Sequence, residues 1–496
     1  MGDVYGTTIE RIKAQDGDKS KLGMAALMWI SHAERPLRVD ELCHALAVEL
    51  GSTDFDVGNV PSMSTLVSCC QGLITVNKEA STVRLVHFTL QEYLSTRPDI
   101  FIRPHSAMAE ICLTYLNSRQ GKALANAVDS DMQKGTFLEY CSVNWGVHAK
   151  RELSDSGRSL ALELLNENYC ETSTKLLLEQ TKHYPTGYYY YPHAFSGLHC
   201  ASFFGIVEVV AGLIEMGCYH MNGGDALDFS PLTWAARNGH EEVVKMLLGQ
   251  EEVDPDKPDI MNRTPLSHAA AYRHEGVVNI LLEGRVVNPD KPDCVGQTPL
   301  SYAAQNGYEG LVKILLEREE VNPDKPDSYC QTPLSYAARN GHEGVVEVLL
   351  GREEVNADKP GNSGGTPLSY AALGGHEGVV KILLGREEVN PDKPDNFGGT
   401  PLSNAARNGH ERVVKILLGQ KEVSPDKPDG RGRTPLWHAS WRGYDEVVKT
   451  LLRREEVNPD KADNNGRTPR SMATQCGRDR VVALLHSHKA VTPTMI

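Results

Sequence analysis

One sequence pattern recurs every 34 residues and predicts the fold. A typical copy reads Thr332-Pro-Leu-Ser-Tyr-Ala-Ala-Arg-Asn-Gly-His-Glu-Gly-Val-Val-Glu-Val-Leu-Leu350. Nine rows keep the pattern, and they begin at Ser196, Ser230, Thr264, Thr298, Thr332, Thr366, Thr400, Thr434 and Thr468. The third position of a row is Leu except in the last, where it is Arg470, while the sixth is always Ala and the eighteenth always Leu. A fixed register over so many rows indicates a repeat protein.

Each row predicts two helices and a finger. The Thr hydroxyl can cap the first helix, and Pro is tolerated at its first position. A glycine such as Gly341 follows that helix, where a left-handed residue commonly ends it. The second helix carries the apolar pattern Val-Val-x-x-Leu-Leu. The tail of a row, such as 321–327, holds two prolines that exclude helix and leads to a glycine-containing turn, which predicts a β-hairpin-like finger.

The start T-P-L-x-x-A-A, with helix, turn, helix and finger in sequence, resembles the ankyrin repeat. The resemblance covers 196 to about 490 and implies nine ankyrin repeats of 34 residues in a helical solenoid. Two departures stand out: Ser replaces the usual His after T-P-L in most rows, and Arg/Glu runs such as Arg386-Glu387-Glu388 replace the Gly-Ala that normally closes the second helix. One repeat cannot bury its apolar face alone, so neighbours must stack.

The N-terminal third predicts a different domain. Apolar spacing indicates helices over 20–33, 38–50 and 59–73, and two short β-prone runs, 73–76 and 83–86, flank a polar turn. Three helices and a hairpin predict a winged-helix-like domain over 15–100. Residues 101–195 are then expected to form a helical linker and an N-terminal cap for the repeats, with the aromatic run 188–191 packing under the first one.

Three motifs in this third resemble one protein family, and they are Arg35-Pro36-Leu37-x-Val39-x-Glu41-Leu42, Leu85-Val86-His87-Phe88-Thr89-Leu90-Gln91-Glu92-Tyr93-Leu94 and Tyr140-x-x-x-Asn144-Trp145-Gly146-x-His148-Ala149. They look like the region that follows the nucleotide-binding module in fungal NACHT–ankyrin proteins, the NLR-like receptors. That module is absent here, and no G-x-x-x-x-G-K-[ST] phosphate loop occurs. We therefore expect no ATP binding, and either a short relative or a truncated gene product.

The amino-acid composition limits the classes of partner and the cellular compartment that we expect for the chain. The net charge is −14, and no basic stripe of the kind that binds nucleic acid is present. The third predicted helix, 59–73, contains no Lys or Arg, so a structural role for the winged helix is favoured over DNA binding. The longest apolar stretch, 22–30, is too short to span a membrane. Eleven scattered cysteines without a C-x-x-C pair favour a reducing compartment, cytoplasmic or nuclear.

The sequence predicts no enzyme, cofactor or metal site. The stretch Gly361-Asn362-Ser363-Gly364-Gly365 matches G-x-S-x-G, but it falls at a repeat turn and not between a strand and a helix. The recurrent His-Glu pair, as at His342, never extends to H-E-x-x-H and is expected to open the second helix of each repeat. Catalytic and metal-binding residues are accordingly predicted to be none.

The fifth and eighth positions of the rows and the finger tips vary, and they carry residue types enriched at binding hot spots. The predicted partner-binding residues are Tyr302, Tyr336, Tyr370, Arg339, Arg407, His438, Trp441, Tyr329 and Phe397. We expect a protein partner on the concave ankyrin surface and a role as scaffold or sensor. Drift on a solvated face is the alternative for this variation, and an accessory role in a metabolic pathway or in transcription is the alternative function.

Overall fold

The computed structural model describes residues 2–125, 136–166, 174, 176–178, 195–217, 219–284 and 287–491. The aromatic run 188–191 lies outside these residues. The chain divides into two compact units, Met1–Ile260 and Met261–Ile496, and each is described by itself.

The first unit opens with a small domain of helices around one hairpin. Its helices are α1 (Gly2–Lys13), α2 (Gly17–His32), α3 (Val39–Ala47), a 3₁₀ turn (Val57–Asn59), α4 (Met63–Cys69) and, after the hairpin, α5 (Phe88–Ser95). The strands β1 (Ile74–Asn77) and β2 (Thr82–Leu85) pair antiparallel, with Ile74 opposite Leu85. This order of three helices and a wing is the predicted winged helix.

Two details differ from the sequence expectation for this domain. Helix α1 was not predicted, although Ile9 and Ile12 are buried on one of its faces. The third helix is shorter than 59–73 because Pro61 lies within that range and Ser62 caps the helix, accepting a hydrogen bond from the Thr65 amide.

The rest of the first unit is helical. Helices α6 (Pro104–Asn117), α7 (Arg119–Ala125), α8 (Phe137–Arg151) and α9 (Asp155–Asn166) precede two helix pairs, α10 (Gly197–Phe204) with α11 (Val207–Met216) and α12 (Pro231–Arg237) with α13 (Glu241–Leu248). The rings of Phe204 and Trp145 meet at 5.3 Å between centroids. The first repeat therefore packs Phe204 against the helical segment before it.

The second unit contains seven helix pairs. Their bounds are α14 (Pro265–Ala271) and α15 (Glu275–Gly284), α16 (Pro299–Asn306) and α17 (Glu309–Leu316), α18 (Pro333–Asn340) and α19 (Glu343–Leu350), α20 (Pro367–Gly374) and α21 (Glu377–Leu384), α22 (Pro401–Asn408) and α23 (Glu411–Leu418), α24 (Pro435–Arg442) and α25 (Asp445–Leu452), and α26 (Pro469–Gln475) and α27 (Asp479–Val491). The first helix of each pair packs against the first helices of its neighbours, and the second helix packs against the second helices. The buried Ala and Leu residues of successive repeats therefore form a continuous core.

The Thr332 repeat shows why the sequence folds this way; we name each repeat by the Thr or Ser that begins its first helix and assign to it the finger that precedes this residue. Thr332 Oγ1 accepts a hydrogen bond from the Ser335 amide at the start of α18, and Gly341 ends that helix with a φ of +78°. His342 begins the second helix, and its Nε2 lies 3.0 Å from the carbonyl oxygen of Gln305 in the preceding repeat. The recurrent histidine is thus a structural link between repeats.

The mostly helical fold class is confirmed. The predicted fingers are closed by hairpin-type hydrogen bonds, such as the one from the Asp327 amide to the Gln331 carbonyl, and each is joined to its neighbour by one backbone bond, as from the Ser328 amide to the Val295 carbonyl. Paired strands within the described ranges occur only in β1 and β2, because a single bond between successive fingers does not make a ladder.

Candidate partner-binding surface

An aspartate at the base of most fingers organises the finger, and in several repeats it also ties the finger to the first helix. In the Thr332 repeat, Asp327 Oδ1 accepts hydrogen bonds from the amides of Tyr329 and Gln331, both at 2.8 Å. Asp327 Oδ2 accepts a hydrogen bond of 2.5 Å from Tyr336 Oη. The fifth-position side chain therefore holds the finger in place.

Other repeats make the same bond, with Tyr again or with His at the fifth position. Tyr302 Oη donates to Asp293 Oδ2 at 2.6 Å, and His438 Nε2 lies 3.1 Å from Asp429 Oδ2. In the Thr366 repeat, Gly361 occupies the aspartate position, and Tyr370 Oη instead accepts a hydrogen bond of 2.6 Å from Gln331 Nε2. The residue type at the fifth position thus varies among side chains that can form a hydrogen bond to a finger.

This bonding places part of the predicted partner set beneath the surface. Tyr336, Tyr370 and His438 are 9%, 8% and 4% exposed, and Tyr302 is half-buried. Their direct contact with a partner stays a prediction, and what the structure gives them is a role in positioning the fingers. Sequence spacing could not reveal this, because the hydroxyl and imidazole groups that favour interfaces also suit a buried bond to a carboxylate.

The remaining predicted residues are accessible. Tyr329 and Phe397 are 61% and 74% exposed at their finger tips, and Arg339 and Arg407 are exposed at the eighth position of the first helix. Trp441, at the same position, is half-buried, and its ring is tilted against that of Trp437 with 5.9 Å between the centroids. The Arg339 guanidinium lies 4.3 Å from the centre of the Tyr370 ring, so this cation covers the buried tyrosine.

A groove of about 540 Å³ lies between the fingers and first helices of the Thr400 and Thr434 repeats. Its lining includes three of the predicted residues, Phe397, Arg407 and His438. It also includes Asn404, Arg431 and Arg433, which the prediction left out. Asn404 holds the fifth position here, and within the described part of the chain its side chain makes no hydrogen bond to the finger. A short amide at that position leaves the space that Tyr or His fills elsewhere.

The groove carries a net positive charge, because Arg407, Arg431 and Arg433 outnumber the two acidic side chains of its lining, Asp395 and Asp429. Arg433 is paired with Asp429 at 3.0 Å, whereas neither Arg407 nor Arg431 forms an ion pair with any residue that the structure describes. Burial lowers the pKa of His438 to about 4, against the opposing effect of Asp429, so this imidazole is neutral near pH 7. Two free guanidinium groups beside the exposed Phe397 ring suit an anionic, partly apolar ligand.

Helix α4, the third helix of the winged-helix domain, presents a polar and uncharged face to solvent. The exposed side chains of α4 are Ser64, Thr65, Val67 and Ser68, none of which is basic. No helix of the described part of the chain has the length and apolar character needed to cross a membrane.

Comparison with known proteins agrees with the two architectures. The family described as "Ankyrin repeats (3 copies)" matches in overlapping segments from residue 160 to residue 494. The family described as "GPI inositol-deacylase, winged helix domain" matches residues 10–100. No curated protein matches the chain.

Proposed function

The chain belongs to the ankyrin-repeat family, and from this premise we propose that it is a non-enzymatic scaffold that holds a protein partner on its fingers and first helices. Repeat arrays of this kind present extended surfaces for partners. One observation carries the proposal. The repeats hold their framework residues buried and bonded in register, while the finger tips and the eighth position expose side chains that differ from one repeat to the next.

The groove at the Thr400 and Thr434 repeats is the centre of the proposed contact surface. Among the described residues Arg407 and Arg431 have no acidic partner, on a chain of net charge −14, so no ion pair within these ranges holds either side chain. A carboxylate from another protein would gain charge-assisted hydrogen bonds there. We therefore propose an acidic segment of a partner, with an apolar side chain against Phe397.

The N-terminal motifs support a sensor role of the NLR-like kind as part of the same proposal. Tyr140, Asn144 and His148 lie on one face of α8, where Tyr140 Oη and His148 Nε2 are 2.9 Å apart and Asn144 Nδ2 donates to the Tyr140 carbonyl. The motif that resembles the fungal NACHT–ankyrin proteins is thus a packed structural unit. A winged-helix domain like that of a GPI inositol-deacylase does not imply deacylase activity, because a shared fold does not supply a catalytic site.

Affinity capture from cell extract by the full chain tests this function. The wild type is compared with R407E/R431E and with the charge-matched control R412E/K381E, whose positions lie on second helices and are exposed. We expect at least one protein that is retained by the wild type and the control and lost with R407E/R431E. A capture profile identical for all three chains would refute the proposed surface.

A further inference from the structure

Three potential metal ligands converge in the first unit, far in sequence from the repeat surface. They are Glu34 after α2, His105 in the first turn of α6, and His148 near the end of α8, and their ligand atoms all lie within 4.8 Å of one another. His105 Nδ1 and His148 Nδ1 are 2.9 Å apart, and Glu34 Oε1 is 4.0 Å from His148 Nδ1. Two imidazoles and a carboxylate form a donor set that suits first-row transition metals.

The helices hold these groups in place. α6 and α8 pack along each other, and the two imidazole rings stack with their centroids 5.2 Å apart. On the other side of His148, Nε2 is bonded to Tyr140 Oη, which also receives a hydrogen bond of 3.4 Å from the Glu34 amide. An outer hydrogen bond that orients a ligating histidine is a regular feature of metal sites.

The facing Nδ1 atoms require something between them. Two imidazole lone pairs 2.9 Å apart repel unless a proton or a cation separates them. A neutral pair can share one proton in a hydrogen bond. A metal ion can take that position instead, with His148 Nε2 then carrying the hydrogen and donating it to Tyr140 Oη.

We propose that Glu34, His105 and His148 bind one divalent transition-metal cation. At metal–nitrogen distances of roughly 2.0–2.1 Å, nitrogens 2.9 Å apart subtend about 90° at the metal, which fits an octahedral site, and a modest opening gives a tetrahedral one. Glu34 and His105 are reachable from solvent while His148 is buried. The cation therefore has an entry path, and water can complete its coordination.

Arg151 is the internal competitor for this site. Both of its terminal nitrogens contact the Glu34 carboxylate, with Nη2 at 3.1 Å from Oε2. Its positive charge opposes a second cation at the same carboxylate. Removal of this guanidinium is therefore expected to strengthen metal binding, a direction of change that a general loss of structure would not produce.

The test is isothermal titration of the full chain, cleared of metal with a chelator, with Zn²⁺ and separately with Ni²⁺. We expect one ion per chain, an affinity at least tenfold weaker in H105Q and in E34Q, and a severalfold tighter affinity in R151Q. The control is H486Q/H488Q, which removes the two histidines of the last helix and should leave the affinity unchanged. Circular dichroism of each variant confirms that it is folded.

Any one of three titration outcomes would overturn the proposal. They are the absence of binding in the wild type, binding that H105Q and E34Q leave unchanged, and binding that disappears in H486Q/H488Q. The proposal is independent of the repeat surface, so its failure leaves the scaffold function untouched. With Co²⁺ as probe, an absorption spectrum dominated by thiolate charge transfer would likewise contradict it by assigning the metal to cysteines.

Discussion

Lys359 Nζ lies 2.8 Å from Asp324 Oδ2 in the finger of the preceding repeat, and it also donates to the Asp324 carbonyl at 2.9 Å. The same pair recurs through the second unit, as Lys325 with Asp290, Lys393 with Asp358, Lys427 with Asp392 and Lys461 with Asp426. The Asp-Lys pair that these tails share, as Asp358-Lys359 and Asp460-Lys461, therefore fastens each finger to the next.

We expect K359A to destabilise the second unit by about 1–2 kcal/mol, since it removes two charge-assisted hydrogen bonds. The Asp324 side chain is only 13% exposed, and its Oδ1 is buried without a hydrogen-bond partner in the described part of the chain, so the loss of Lys359 leaves a poorly solvated carboxylate. Urea unfolding of the full chain, followed by circular dichroism, measures the change.

K381A is the matched control, because Lys381 is an exposed lysine on a second helix. It should change the free energy of unfolding by no more than about 0.5 kcal/mol, as surface substitutions usually do. Equal effects of the two substitutions would show that the finger pairs do not fasten the repeats.

Loss of the Tyr336 hydroxyl should loosen one finger. Burial and the Asp327 carboxylate raise the pKa of Tyr336, so the hydroxyl stays protonated and donates its hydrogen bond at all ordinary pH values. We expect Y336F to cost about 1–2 kcal/mol in urea unfolding, because a buried bond to a charged acceptor is lost. Y329F, at an exposed finger tip, should have almost no effect, and a similar loss in both variants would contradict the assigned bond.

His438 should make the second unit acid-sensitive. Its folded-state pKa of about 4 is below the ordinary value of 6.5, so between these values the unfolded chain binds a proton that the folded chain does not. Stability contributed by the neutral imidazole is complete above pH 6.5 and is lost as the pH falls towards 4. The slope is up to about 1.4 kcal/mol per pH unit in that window.

H438Y isolates this contribution. Tyr occupies the same position in the Thr332 repeat, where it donates to the finger aspartate, and it does not titrate between pH 4 and 7. The free energy of unfolding of H438Y should therefore fall less between pH 7 and pH 4 than that of the wild type. Parallel pH profiles would show that His438 titrates normally in the folded chain.

The sequence was sufficient for the fold because the repeat signal is redundant. Thr332, Gly341 and His342 each recur in register, so a cap, a helix end and an inter-repeat bond are indicated many times over. Helix α1 had no such support, since Ile9 and Ile12 alone are a weak periodic signal. The finger pairs were also missed, because the link between Lys359 and Asp324 requires knowing that successive tails lie side by side.

The candidate site was only partly predictable. The variation of Phe397 and Arg407 among repeats pointed to the groove, but the same criterion selected Tyr336 and Tyr370, which are buried. Variation in residue type among the repeats identifies positions where the shared core does not require one residue. It cannot distinguish a side chain that faces solvent from one that forms a hydrogen bond within its own repeat. Arg431 could be placed in the groove only once the fold brought it near Arg407.

The groove itself gives the fourth prediction. Reversal of charge at Arg407 and Arg431 should abolish attraction for an acidic partner, and these exposed, unpaired side chains contribute little to folding. We expect R407E/R431E to unfold within about 0.5 kcal/mol of the wild type in urea. A large destabilisation would show that the two arginines belong to the framework.

The most direct test of the proposed groove is the dissociation constant of a captured partner. It is measured by isothermal titration with the wild type, with R407E/R431E and with the charge-matched control R412E/K381E. We expect at least tenfold weaker binding to R407E/R431E alone, with all three chains equally folded. Equal affinity for all three would contradict the claim that this groove holds the partner.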